Sequence, residues 1–131
     1  IIRLLDEWRL HENVHFTGRI AYEEFARYYA ECTLTVIPSL YEGFGMPAGE
    51  AMACGVPVIS TTGGALPEVV GDAGILVPPD DPDALRAAMA RLIADPALAT
   101  RMGAAGRERV TGFHASTVVG QIESVYEEVL G

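Results

Sequence analysis

Two glutamates, Glu42 and Glu50, stand seven residues apart in the stretch SLYEGFGMPAGEAMACG, which runs over residues 39–55. Between them lie Gly43, Phe44, Gly45, Met46 and Pro47. Glycine at 43 and 45 lets a main chain approach a ligand closely, because no Cβ is there to clash. Pro47 fits the first turn of a helix, where its missing N–H is no loss. Such a loop would leave the N–H groups of Gly45, Met46 and Ala48 free to meet an anion at the positive end of the helix dipole. Glu50 lies about one turn further on, roughly 5 Å along the axis. A carboxylate there would repel an anion if it pointed forward, so neutral hydroxyls such as a ribose diol match it better. Glu42, before the loop, would meet hydroxyls of a second polar group on the other side. An anion flanked by two hydroxyl-bearing groups is the outline of a nucleotide diphosphate sugar. The spacing alone equally fits two solvated carboxylates, one in a turn and one on a helix face.

The elements that must position this loop read as short apolar strands alternating with amphipathic helices. Residues 1–10 carry Ile1, Leu4, Leu5 and Trp8 at helical spacing. A strand is expected over 14–17, with His15 in it as a structural residue, and the loop Gly18-Arg19-Ile20 at its carboxyl end. Over 22–32, Phe25, Tyr28 and Tyr29 face a core while Glu23, Glu24 and Arg27 face outward. A strand over 34–37 leads into the glycine loop and a helix over 48–54, closed by Gly55. A strand over 56–60 carries Pro57 near its start, where proline is tolerated. Thr61-Thr62-Gly63-Gly64 then turns into a short helix over 67–70, and a fourth strand follows over 75–77.

Asp80-Asp81-Pro82-Asp83 signals a helix with apolar positions Leu85, Met89, Leu92 and Ile93. Asp95-Pro96 separates it from a helix over 97–110. A last helix, over 116–130, gathers Val119, Ile122, Val125, Tyr126 and Val129 on one face. The alternation predicts an α/β fold, a Rossmann-like parallel sheet with helices on both faces. Four strands are few for a doubly wound domain, which commonly has five or six. The sequence also opens without methionine inside a helical pattern, so the domain is expected to be incomplete at its N-terminal side.

The 131 residues fit one domain, 1–131, and half of them are hydrophobic. Net charge is −9, and all nine basic residues are arginine. That balance speaks against nucleic acid or an anionic membrane as the main partner. A phosphorylated small molecule held by backbone N–H groups stays compatible with it. Cys32 and Cys54 have no further metal ligand nearby and read as reduced structural thiols, so no metal site is expected. No signal peptide or membrane-spanning run is visible, and the expected location is the cytoplasm.

The segment PSLYEGFGMPAGEAMACGVPVIST resembles the signature of retaining nucleotide-sugar glycosyltransferases of family 4, which have the two-domain GT-B fold. In that family a Glu-x7-Glu motif with an internal GFG-type loop marks the donor site. The similarity extends through VHFTGRI, GGALPEVV and GILVPPDDPDAL to the C-terminal helices. It implies the C-terminal, donor-binding half of a GT-B fold. By the resemblance Glu42 would contact the donor sugar as the catalytic-site carboxylate, and Glu50 the ribose. The backbone of Gly43, Phe44, Gly45 and Met46 would line the sugar and pyrophosphate. Arg19 and Ile20 match a loop bordering the base, and Thr62, Gly63 and Gly64 a second loop near the donor. For Arg19 a surface salt bridge, and for Gly63 and Gly64 a purely conformational role, are the alternative readings.

The resemblance also implies a donor that is substrate, with no cofactor, and transfer to an acceptor hydroxyl with retention by front-side attack. The acceptor would be bound by an N-terminal domain, through which peripheral association with the inner membrane face stays open. Relatives carry an upstream arginine and lysine that neutralise the pyrophosphate; lysine is absent here. His114 stands where a tryptophan is common. An epimerase of the same architecture and a non-catalytic folded module are the rival readings. An exposed edge of the parallel sheet would favour a dimer or strand exchange.

Overall fold

Parallel strands joined by helical crossovers frame the molecule. The computed structural model describes residues 2–131, with Tyr22 described by its backbone alone. In chain order the elements are α1 (Ile2–Trp8), α2 (Tyr22–Glu31), β1 (Thr35–Ile37), α3 (Met46–Ala53), β2 (Val58–Thr61) and α4 (Leu66–Val70). They continue with β3 (Ile75–Val77), α5 (Pro82–Ala94), α6 (Pro96–Arg109) and α7 (Ala115–Leu130). The sheet order is β1-β2-β3, parallel throughout, with Thr35 opposite Val58 and Ile59 opposite Ile75.

The strands are apolar on both faces because each face is covered. Val58 points into a core with Ile37, Ala48, Met52, Leu66 and Val70, on the α3 and α4 side. Its neighbour Ile59 points the other way, to Val77, Ala88 and Leu92, where α5 and the first turns of α6 pack. Every residue of β2 is buried. This is the expected α/β sheet with helices on both faces, in three strands.

The strand expected over 14–17 does not form. Val14 has extended torsions (φ −122°, ψ 121°), but residues 14–17 are all exposed, Phe16 at 60%. Alternation gives a segment the wish to pair; a ladder needs a neighbour, and the described sheet ends at β1. His15 accordingly lies on the surface. The strand expected to begin at 56 begins at Val58, because the N–H of Val56 still donates to the carbonyl of Ala51 in the exit turn of α3 (3.0 Å).

The face of α2 read as core is only partly buried, and the apolar face of α7 is exposed. Among the described side chains of α2, Tyr29 packs against the core, whereas Phe25 is 38% exposed and Tyr28 lies under the Arg27 guanidinium, 5.4 Å from the ring centroid. On α7, Val119, Ile122, Val125, Tyr126 and Val129 are all exposed. No helix among the described residues is long and apolar enough to cross a membrane.

Candidate functional site

Adjacent parallel strands deliver their following loops side by side, and the loops after β1 and β2 meet here. The loop from Pro38 to Gly45 is pinned from both ends. Ser39 donates through Oγ to Oε1 of Glu42 at 3.0 Å, and Thr61, the last residue of β2, donates its hydroxyl to the carbonyl of Ser39. The N–H of Ala65 donates to the carbonyl of Glu42 at 3.0 Å. Thr61 Oγ1 also accepts from the N–H of Gly63 at 3.3 Å.

This closeness explains the paired glycines of the second loop. Gly64 has φ +65°, and a Cβ there would overlap the carbonyl oxygen of Glu42; one at Gly63 would overlap that of Leu40. Both positions need glycine for this close approach, Gly64 against the backbone of Glu42 and Gly63 against that of Leu40. Thr62 is exposed beside them, its N–H held by the carbonyl of Val77 at 3.0 Å.

Gly45 caps α3 in the left-handed region (φ 90°, ψ 44°), so the helix starts at Met46, two residues before the expected start. A Cβ on Gly45 would sit 2.6 Å from Leu66 Cδ2, which keeps glycine there for packing as well as for torsion. Gly43 differs: no protein atom lies within 4 Å of where its Cβ would be. The N–H groups of Gly43, Phe44, Gly45 and Met46 donate to nothing among the described residues. Ala48 does not join them as expected, because its N–H donates to the carbonyl of Gly45 at 2.9 Å. Free amides, a helix dipole and an open side at Gly43 together suit an anion. The Phe44 ring is steadied edge-to-face by Phe113, with centroids 5.8 Å apart.

Glu50 sits one turn into α3, half-buried. Its Oε2 accepts from the hydroxyl of Tyr29 on α2 at 3.3 Å, and the same hydroxyl lies 3.4 Å from the carbonyl of Pro47. Burial, and then the neighbouring Glu50 carboxylate, push the Tyr29 phenol up to about 12 from its ordinary 10. A cavity of about 170 Å³ between α2 and α3 is lined by Glu50 and Tyr29 with Phe25, Ala26, Ala53 and Cys54. A second, of about 240 Å³, opens at the carboxyl ends of the strands between Pro38, Leu40, Thr61, Val77, Asp80 and Leu85, and neither glutamate lines it.

The model of the family described as glycosyl transferases group 1 matches residues 1–109. The chain belongs to that family. Its sheet is the Rossmann-like arrangement of the GT-B glycosyltransferases. It is 42% identical over 132 aligned residues to an MMP alpha-(1->4)-mannosyltransferase of Mycolicibacterium hassiacum, covering 98% of this chain and 32% of that protein. Among solved structures it is similar to the sucrose-phosphate synthase of Thermosynechococcus elongatus: 41% identity, TM-score 0.87, 98% of this chain and 33% of that one. It also superposes on Anabaena Alr3699/HepE, solved in complex with UDP and glucose, with 25% identity, TM-score 0.87, and 97% of this chain against 35% of that one. The group 1 chain thus spans about a third of the length of the relatives it matches.

Within this glycosyltransferase chain the structure gathers Glu42, Gly43, Gly45, Gly63 and Gly64 into one loop pair and sets Glu50 on the helix that follows. No hydrogen bond among the described residues ties Arg19 or Ile20 to it. Arg19 is exposed and makes no hydrogen bond or ion pair among the described residues, so the surface salt bridge is absent too; Ile20 is half-buried. No cluster of three or more His, Cys, Asp or Glu suited to a metal occurs among the described residues. Three contributors escape a reading of the sequence: Ser39, Thr61 and Tyr29. Only Ser39 carries a local signal, a hydroxyl three residues before the carboxylate it contacts.

Proposed function

We propose that the chain forms the donor side of a retaining glycosyltransferase that moves a sugar from a nucleoside diphosphate to an acceptor hydroxyl. One observation supports the reading: four N–H groups, from Gly43 to Met46, donate to nothing among the described residues and lead into α3, between Glu42 and Glu50 in the chain. The diphosphate would rest on these amides, and the helix end would stabilise the charge that develops as it leaves. The Glu50 carboxylate would accept from the ribose diol, and Glu42, oriented by Ser39, from hydroxyls of the donor sugar. Arg19 and Ile20 would border the base, and Thr62, Gly63 and Gly64 the far side of the donor. The complex of HepE with UDP and glucose supports a nucleotide-sugar donor.

In the reaction, the bond from the anomeric carbon to the diphosphate oxygen breaks and its electron pair stays on that oxygen. The acceptor oxygen bonds to the same face of the anomeric carbon, and its proton passes to the departing diphosphate. The donor is substrate, and the reading asks for no cofactor. An N-terminal domain of the whole cytoplasmic enzyme would present the acceptor.

The test is an NMR titration of the chain with UDP-glucose, GDP-mannose and the free diphosphates, beside Glu50→Ala. Amide shifts centred on residues 43–51, weakened roughly tenfold or more by the variant, are expected. Shifts elsewhere, or equal binding by Glu50→Ala, would overturn the reading.

A further inference from the structure

We infer that Tyr29 is a positioning residue of the donor site: its hydroxyl holds Oε2 of Glu50 and leaves Oε1 free to accept from a ligand diol. This rests on the donor reading above and adds a residue from a different helix to it. Tyr29 lies 21 positions before Glu50, on α2, with its ring packed against the core on the α3 side. A phenol turns about two side-chain bonds, so a ring anchored in packing holds its O–H within reach of Oε2 of Glu50 at 3.3 Å and of the Pro47 carbonyl at 3.4 Å. The carboxylate of a glutamate sits at the end of three rotatable bonds and has no such anchor of its own.

The kind of partner matters as much as the contact. The Glu50 carboxylate makes no ion pair and has no other hydrogen-bond donor among the described residues. An arginine in this place would occupy both oxygens bidentately and neutralise them. A single neutral hydroxyl binds one oxygen and keeps the negative charge, which strengthens the other as an acceptor. The raised pKa keeps Tyr29 a donor through the whole working pH range. Tyr29 and Glu50 open together onto the cavity between α2 and α3, so the free oxygen has space beside it.

Calorimetry with UDP and with 2′,3′-dideoxy-UDP tests this, using the chain, Tyr29→Phe, Glu50→Gln and the double variant. Phenylalanine keeps the ring and its packing and removes only the donor. Tyr29→Phe is expected to weaken UDP roughly tenfold, to leave dideoxy-UDP unchanged, and to add nothing to Glu50→Gln. Equal loss for both nucleotides would show a merely structural residue and overturn the inference. So would undiminished UDP binding by Tyr29→Phe beside a weakened Glu50→Gln, which leaves the donor reading standing. If Glu50→Gln binds UDP like the parent chain, or the folded chain binds none, the donor reading itself falls and takes the inference with it.

Discussion

At the scale of single residues, the Tyr29 phenol gives a pH signature that can be read without a ligand. Burial and the Glu50 carboxylate hold its pKa near 12, against 10 in the unfolded chain. Between those values the folded state keeps a proton that the unfolded state has released. The contribution of Tyr29 to stability is therefore full below pH 10 and is lost as pH rises toward 12. Absorbance of tyrosinate should show one late-titrating group that Tyr29→Phe removes, and urea melts should lose stability over the same window. The two loop glycines give a second prediction, because they are glycine for different reasons. Gly64→Ala places a Cβ against the Glu42 backbone at φ +65° and should cost on the order of 2 kcal/mol or more. Gly43→Ala meets no protein atom, so its urea midpoint should stay within about 0.5 kcal/mol of the parent while donor affinity drops. Residue type and spacing drew attention to Glu42 and Glu50, and the family resemblance of the surrounding segment singled them out. Tyr29 and Thr61 were not legible, because their partners lie 21 and 22 residues away and only tertiary packing brings them together.

At the scale of elements, punctuation was the most legible feature. Each Asp-Pro step predicted a helix start, and each aspartate caps one: Asp81 accepts from the N–H of Ala84 and Asp95 from that of Leu98, both at 2.9 Å. Asp95 serves twice, closing α5 and opening α6. Asp95→Ala should cost about 1 kcal/mol, seen as a fall of a few degrees in the thermal midpoint. Partnership was the least legible. Residues 14–17 have the composition and alternation of a strand, and the described sheet supplies nothing for them to pair with. On α2 and α7 the helical period was read correctly, yet a period says which residues share a face and not whether another element covers it. The start of α3 at Met46 turned on the left-handed cap at Gly45, a torsion that glycine permits without announcing.

At the scale of the whole molecule, an acidic surface is combined with uncovered apolar faces. The charge of −9 makes copies repel one another, while α7 exposes Ile122 and Val125 and β1 pairs on one side only among the described residues. Lowering pH toward the isoelectric point of about 4.6 should bring on self-association measurable by light scattering. Ile122→Glu should suppress it if α7 is the contact and leave it unchanged if the edge of β1 is. The fold class was legible across this scale because strand burial on both faces leaves a simple mark, short apolar runs between amphipathic helices. The loop pair above the sheet adds a last consequence. The Ala65 N–H hangs on the carbonyl of Glu42, so its hydrogen-exchange rate is tied to how firmly the first loop is held. One amide outside the Glu-x7-Glu segment thus serves as a clock for it, slowing whenever something settles against Glu42 and quickening when the loop is loosened.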